Sequence, residues 1–395
     1  PEGSPYLDMM ESSLSVSKNH VVFLSSLRGS KRLWSFVLRL SAILHFPDIS
    51  KEINKENFDS LAGERLEILT KSRVRPTLIF RTLLSLSVKN LNRLLDKYES
   101  HLSYLFNNVH SGIYLFIDRV EMAISHLPRP AWINTQAGLI EAGWDIMNAN
   151  NHVKVYATIR EEAYVNYESE SKANMHTSIL SLRYTIDQLR GMIDRLCDVY
   201  ESVPDFNSFV GIESVENTHC RVSEDSFRYL HRHTVGRPRD LVNICKELSK
   251  QRTELTQESF RDIVNNFSSN NIIKNLFQEM AVFQDCLSNE KGRYNFFSLL
   301  PHNILTRQEV KAICCRFNFN GELDESIQYD DFYDAQQNLK HPFCELFNSG
   351  LIGIVPNADE AEVLVQRFKQ PHDVMAACEA CLPMADYYLL HPSLQ

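Results

Sequence analysis

Three short stretches carry side chains suited to holding a phosphorylated ligand. The first is Gly-Ile-Tyr-Leu-Phe-Ile-Asp, residues 112–118, an apolar run that stops at Asp118, with Glu121 three positions on. An apolar strand ending in an acid delivers one carboxylate to water-bound Mg²⁺ on a nucleotide; the plain alternative is a strand ending in a turn. The second is Val-Lys-Val-Tyr-Ala-Thr-Ile-Arg, residues 153–160, with Thr158 forty residues past Asp118 and Arg160 at its end. A polar or cationic group at a neighbouring strand tip can feel the same phosphates, although an Arg there also snorkels to solvent. The third is Val-Gly-Arg-Pro-Arg-Asp-Leu, residues 235–241. Gly236 suits the end of one helix and Pro238 the first turn of the next. That places Arg239 where the helix dipole opposes a cation by ~0.3–1 kcal/mol, unless an anion is close. Without an anion, the stretch is a Gly-Pro helix junction.

These side chains need elements to present them. Residues 20–25 (HVVFLS) read as a short buried strand, and 31–44 as a helix with Leu33, Trp34, Val37, Leu38, Ala42 and Leu44 at helical spacing. A polar linker follows at 47–60, and 83–106 is helical through Leu91, Leu94, Leu95, Tyr98, Leu102 and Leu105. Residues 113–118 are apolar on both faces, as in a strand buried within a parallel sheet. Residues 134–148 read as a helix and 153–160 as a second buried strand. The alternation predicts an α/β doubly wound fold with ligands at the carboxyl ends of the strands. Helices are expected at 179–200, 223–233 and 238–251, then near 257–288 and 304–317. Strands at 349–355, 366–369 and 387–391 complete a helix-plus-ribbon tail of winged-helix type.

The order and spacing of the motifs resemble the P-loop NTPases of the AAA+/STAND group, especially bacterial antiviral-defence ATPases. LFIDRVE (115–121) is similar to a Walker B segment, ATIR (157–160) to sensor 1 and GRPRDL (236–241) to sensor 2. HPFCELFNSGLIGIV (341–355), QRFKQP (366–371) and ADYYLLHPSL (385–394) resemble the winged-helix end of such proteins. The resemblance implies an incomplete α/β NTPase core over 1–170, a helical lid over 171–256 and a winged-helix-like domain over 257–395. It implies ATP and Mg as cofactors: Asp118 on the metal, Glu121 as the hydrolytic acid, and Thr158, Arg160, Pro238 and Arg239 around the nucleotide. It further implies a ring-forming switch with an effector partner, such as the adenosine deaminase beside RADAR-type ATPases. His391 matches a winged-helix His that reports nucleotide state in some relatives.

Two departures stand out. No G-x-x-x-x-G-K-[ST] occurs in the 395 residues. The nearest stretch, Ser25-Ser26-Leu27-Arg28-Gly29-Ser30-Lys31-Arg32, lacks the glycines that let backbone N–H groups cradle phosphate. The expected core therefore lacks its first strand and P-loop, and 20–25 is its second strand. The other departure is Arg119, where many AAA+ proteins keep a catalytic Glu. A non-catalytic scaffold acting through its tail is the alternative.

Composition narrows the partners. Hydrophobic residues make up 44% and charged residues 23%, the profile of a folded globular chain. With 41 basic against 50 acidic residues the net charge is −9, so nucleic acid is not the expected main ligand. Nine irregularly spaced Cys, all from Cys197 onward, suit a reducing cytoplasm better than a disulfide framework. Cys378-x-x-Cys381 has no second pair at zinc spacing and reads as structural, as does Cys314-Cys315 in a helix. No run approaches a membrane span. Arg183, Arg190 and Arg195 read as solvated, or one as an arginine finger.

Overall fold

The computed structural model describes residues 8–9, 16–53, 75–217, 222–251, 255–319, 341–355, 367–368, 382 and 385–394. The chain forms two compact units, Pro1–Leu180 and Ser181–Gln395.

The first unit is mixed α/β. Its helices α1 (Lys18–Leu24), α2 (Leu27–Leu44), α3 (Pro76–Leu84) and α4 (Val88–Asn107) lie between β1 (Asp8–Met9) and β2 (Ile113–Asp118). Then come α5 (Arg129–Ala149), β3 (Val153–Ala157) and α6 (Glu161–Asn166). The three strands are parallel in the order β1-β2-β3, with Ile113 opposite Val153 and Ile117 opposite Ala157.

The helices start where side chains satisfy their free N–H groups. Ser26 caps α2 through the Gly29 N–H (3.4 Å) and Ser87 caps α4 through the Asn90 N–H (3.3 Å). Helix α2 is the centre of the unit. Its Trp34 is buried, stacks on Phe80 at 4.1 Å and donates its indole N–H to the Thr135 carbonyl of α5 at 3.0 Å. Lys31 pairs with Glu141 (3.1 Å) and Asp145 (2.9 Å) of α5, and Arg32 with Asp96 (2.6 Å) and Glu99 (2.9 Å) of α4. Gly138 of α5 meets α2 so closely that an added Cβ would lie 2.7 Å from the Lys31 backbone nitrogen.

Residues 20–25 are not a strand. They lie in α1 and its C-cap, Ser25, because Ser17 and His20 form a reciprocal cap at its start and only His20 and Leu24, one helical turn apart, are buried. The stretch 25–32 then supplies the cap and first turns of α2, not a phosphate loop. Nor is β2 buried on both faces: Ile113, Leu115 and Ile117 are covered, whereas Tyr114 and Phe116 are exposed.

In the second unit, α7 (Ile186–Glu201) starts later than expected, at the Thr185–Gln188 capping box. The expected helix at 223–233 is a strand and a shorter helix. Strands β4 (Ser214–Asn217) and β5 (Val222–Asp225) form an antiparallel hairpin, and Asp225 caps α8 (Ser226–Arg232). Helices α9 (Pro238–Ser249) and α10 (Gln257–Phe267) pack with α7 and α8 around Leu189, Phe206, Phe227, Leu241 and Phe260. This core runs on to Ile272.

A second core starts with α11 (Ile273–Glu279) and takes in α12 (Glu290–Phe297), α13 (Arg307–Phe319) and α14 (Pro342–Asn348). These accompany an antiparallel sheet of β6 (Ile304–Thr306), β7 (Ile352–Val355), β8 (Arg367–Phe368) and β9 (Tyr387–Leu390), in the order β6-β9-β7-β8. The expected tail strands are there, and the second core also takes in Val235 from the turn before α9. Cys314 and Cys315 are buried on α13. Cys378 and Cys381 lie outside the described residues. Among the described residues no helix is long and apolar enough to cross a membrane.

Candidate functional site

The first unit brings Asp118 and Thr158 together. Strand β2 ends at Asp118, β3 runs parallel beside it, and the Thr158 N–H extends the ladder to the Ile117 carbonyl at 3.0 Å. Side chains alternate along a strand, so Asp118 and Thr158 share a face. The Thr158 hydroxyl donates a short hydrogen bond to Asp118 Oδ1.

The chain then turns sharply. Arg119 takes the left-handed conformation (φ 61°, ψ 28°), uncommon for a residue with a Cβ, and starts a single turn of helix, Val120–Ala123. Glu121 sits in that turn, partly exposed.

Arg160 lies three residues beyond β3 and caps α6. Its backbone N–H donates to Oε1 of buried Gln136 at 3.0 Å. Its guanidinium forks onto Glu162, Nε to Oε2 at 3.1 Å and Nη2 to Oε1 at 3.3 Å. The strand-tip arginine is thus held by a carboxylate two residues away.

Pro238 and Arg239 belong to the second unit. Gly236 has φ 71°, a left-handed turn that glycine adopts without a Cβ penalty, and Pro238 opens α9. Arg237, the N-cap, pairs with Glu279 at 2.6 Å. Arg239 is exposed in the first turn. Asp240 beside it is buried, and burial pushes its carboxyl up from the usual range.

His391 reaches the same turn from the tail. It is buried, and its Nε2 lies 3.1 Å from the Thr234 carbonyl, two residues before Gly236. Because a carbonyl only accepts, Nε2 carries the proton and Nδ1 accepts, here from the Ser393 N–H (3.2 Å) and the Ser393 hydroxyl. Burial first, then the positive Arg232, pushes the imidazole down to about 4. Neighbouring His233 accepts none of these bonds; it binds the Tyr229 carbonyl through Nδ1 at 2.7 Å and is pushed down to about 3, mainly by burial.

Arg190 pairs with Asp225 (3.2 Å) and Arg195 with Asp198, while Arg183 bonds Ser181 (3.2 Å). Sequence reasoning missed Glu345, whose carboxylate accepts from the N–H groups of Asp285, Cys286 and Leu287, each at 2.9 Å. No local spacing signals a contact across about sixty residues. It also missed the aromatic strip on the open sheet face, where the Tyr156 ring is stacked by Phe116 at 5.0 Å and by Tyr114 at 6.3 Å.

Mg²⁺ bound with a nucleotide takes one or two protein oxygens, the rest coming from phosphates and water. The Asp118 carboxylate and the Thr158 hydroxyl fit that demand. An all-protein cage does not fit, since among the described residues no three His, Cys, Asp or Glu side chains cluster to hold a metal. Comparison of the chain with family models, with curated proteins and with solved structures yields no match, so the site rests on its own geometry.

Proposed function

We propose that the chain is the nucleotide-dependent part of an ATP-binding switch that oligomerises and works with an effector partner, with Asp118 directed to Mg²⁺. One observation carries the reading: a carboxylate and a hydroxyl meet at the carboxyl ends of two adjacent parallel strands. That is where open α/β sheets bind ligands. Glu121 is the acid for activating water, Arg160 and Arg239 the cations for phosphate, and the small sheet with its helices at the tail a winged-helix module for protein contacts. The place in antiviral defence rests on the resemblance of residues 115–121, 157–160 and 236–241 alone.

A scaffold without turnover is the second reading. It is favoured by the lack of a phosphate loop in the 395 residues and by the fork that occupies Arg160. The two separate on one experiment. In the chain extended through its upstream coding sequence, Asp118→Ala should lower Mg²⁺-dependent ATP hydrolysis by ~100-fold, the order of effect of removing one electrostatic group from a transition state, with an unchanged circular dichroism spectrum. Turnover equal to the parent, or none in either, would leave the scaffold.

A further inference from the structure

We infer that Arg119 is the cation that first meets the phosphate chain of a ligand bound at the Asp118 and Thr158 strand tips. This rests on the nucleotide reading of those tips and adds a phosphate contact beside the metal-directed carboxylate.

The backbone at Arg119 is one that a side chain opposes. Among the described residues only Arg119 and Ser202 combine a Cβ with a positive φ. Ser202 has a local reason: it ends α7, and left-handed residues commonly close helices. Arg119 instead stands before the single turn Val120–Ala123, and its side chain makes no capping hydrogen bond there. Glycine takes a φ of 61° freely and asparagine tolerates it. The turn therefore gains nothing from an arginine. Nor do its surroundings: Arg119 is exposed, and its guanidinium forms no hydrogen bond, ion pair or ring contact among the described residues. Backbone held in a disfavoured conformation, with an unengaged charge at a strand tip, marks a place that a ligand contact completes.

Charge says which ligand. Arg160, at the tip of the neighbouring strand, is forked onto Glu162, and the two side chains are only 24% and 13% exposed. Drawing Arg160 away leaves a mostly buried carboxylate unpaired, which is costly. That pair is neutral as a unit, whereas Asp118 and Glu121 bring negative charge to the tip of β2. A Mg²⁺–nucleotide complex is itself an anion, so the carboxylate that attracts its metal also repels its phosphates. Arg119, next in the chain to Asp118, offsets that repulsion without first breaking a pair, and its planar guanidinium matches phosphate oxygens.

The test is binding of Mg²⁺–ATP and of tripolyphosphate, by equilibrium dialysis, to the chain extended through its upstream coding sequence. Arg119→Gly and Arg119→Asn keep the left-handed turn and remove the charge. Both should weaken either ligand by ~10-fold or more, the order of one charge-assisted hydrogen bond, and added salt should shrink the difference. Without ligand both should melt within ~3 °C of the parent, since both residues accept the turn. Melting lowered in both by more than ~5 °C without ligand would make Arg119 structural and overturn the inference. Parent binding of Mg²⁺–ATP that neither variant weakens defeats the Arg119 contact and leaves the nucleotide reading. Binding of tripolyphosphate but not of ATP, weakened in both variants, keeps the Arg119 contact and defeats the nucleotide reading. Binding of neither ligand by the parent defeats both.

Discussion

Thr158 holds one oxygen of Asp118 in place, and a few residues on Arg160 is held by Glu162. Arg239 differs from both: it is exposed at a helix start, where the dipole opposes its charge. Arg239→Ala should therefore change thermal stability without nucleotide by less than ~0.5 kcal/mol, yet weaken ATP-dependent assembly of the extended chain, read by light scattering. Normal assembly would leave residues 236–240 as a helix junction. His391 gives a pH prediction. An unfolded histidine titrates near its ordinary 6.5, and the folded one at about 4. The folded state thus takes up its proton later, so this stability is complete above about pH 6.5 and is lost as pH falls towards 4. The His391 share of that loss should approach ~3 kcal/mol, and His391→Gln should shrink the stability difference between pH 7.5 and 4.5 in urea titrations by about that share, leaving the loss of the same sign from His233. Asp118 and Thr158 were legible because a strand tip is a local pattern. The partners of His391 were not, since Thr234 lies 157 residues away.

Elements obey the same division between local and distant causes. Helix α4 was readable from apolar spacing and α9 from the opening Pro238. Residues 20–25 misled because six mostly apolar residues fit a strand or a helix equally, and the cap at Ser17 decided it. The hairpin β4–β5 escaped because its ladder pairs Ser214 with Asp225, a relation no helical or alternating pattern announces. One substitution made in two helices tests the packing. Gly138→Ala should destabilise the first unit by ~1–3 kcal/mol, since its Cβ would strike the α2 backbone. Gly191→Ala in α7, with nothing within 4 Å of an added Cβ, should stabilise by ~0.5–1 kcal/mol. Thermal melts of both variants check the opposite signs.

At the scale of the molecule, residues 113–118 carry an apolar pattern written for a sheet covered on both sides, and the described residues cover one. The sequence reading of β2 was thus right about side-chain chemistry and wrong about its surroundings, because covering a face is a property of the whole sheet. The division into two units has a further effect through Trp34 and its fellows. All three tryptophans of the chain, Trp34, Trp132 and Trp144, fall in residues 1–180. Indole emission is therefore blind to the second unit, whereas far-ultraviolet ellipticity sums the helices of both. A fluorescence melt of the intact chain times the unfolding of one unit alone, and its offset from the ellipticity curve measures how far the two unfold as separate cooperative bodies.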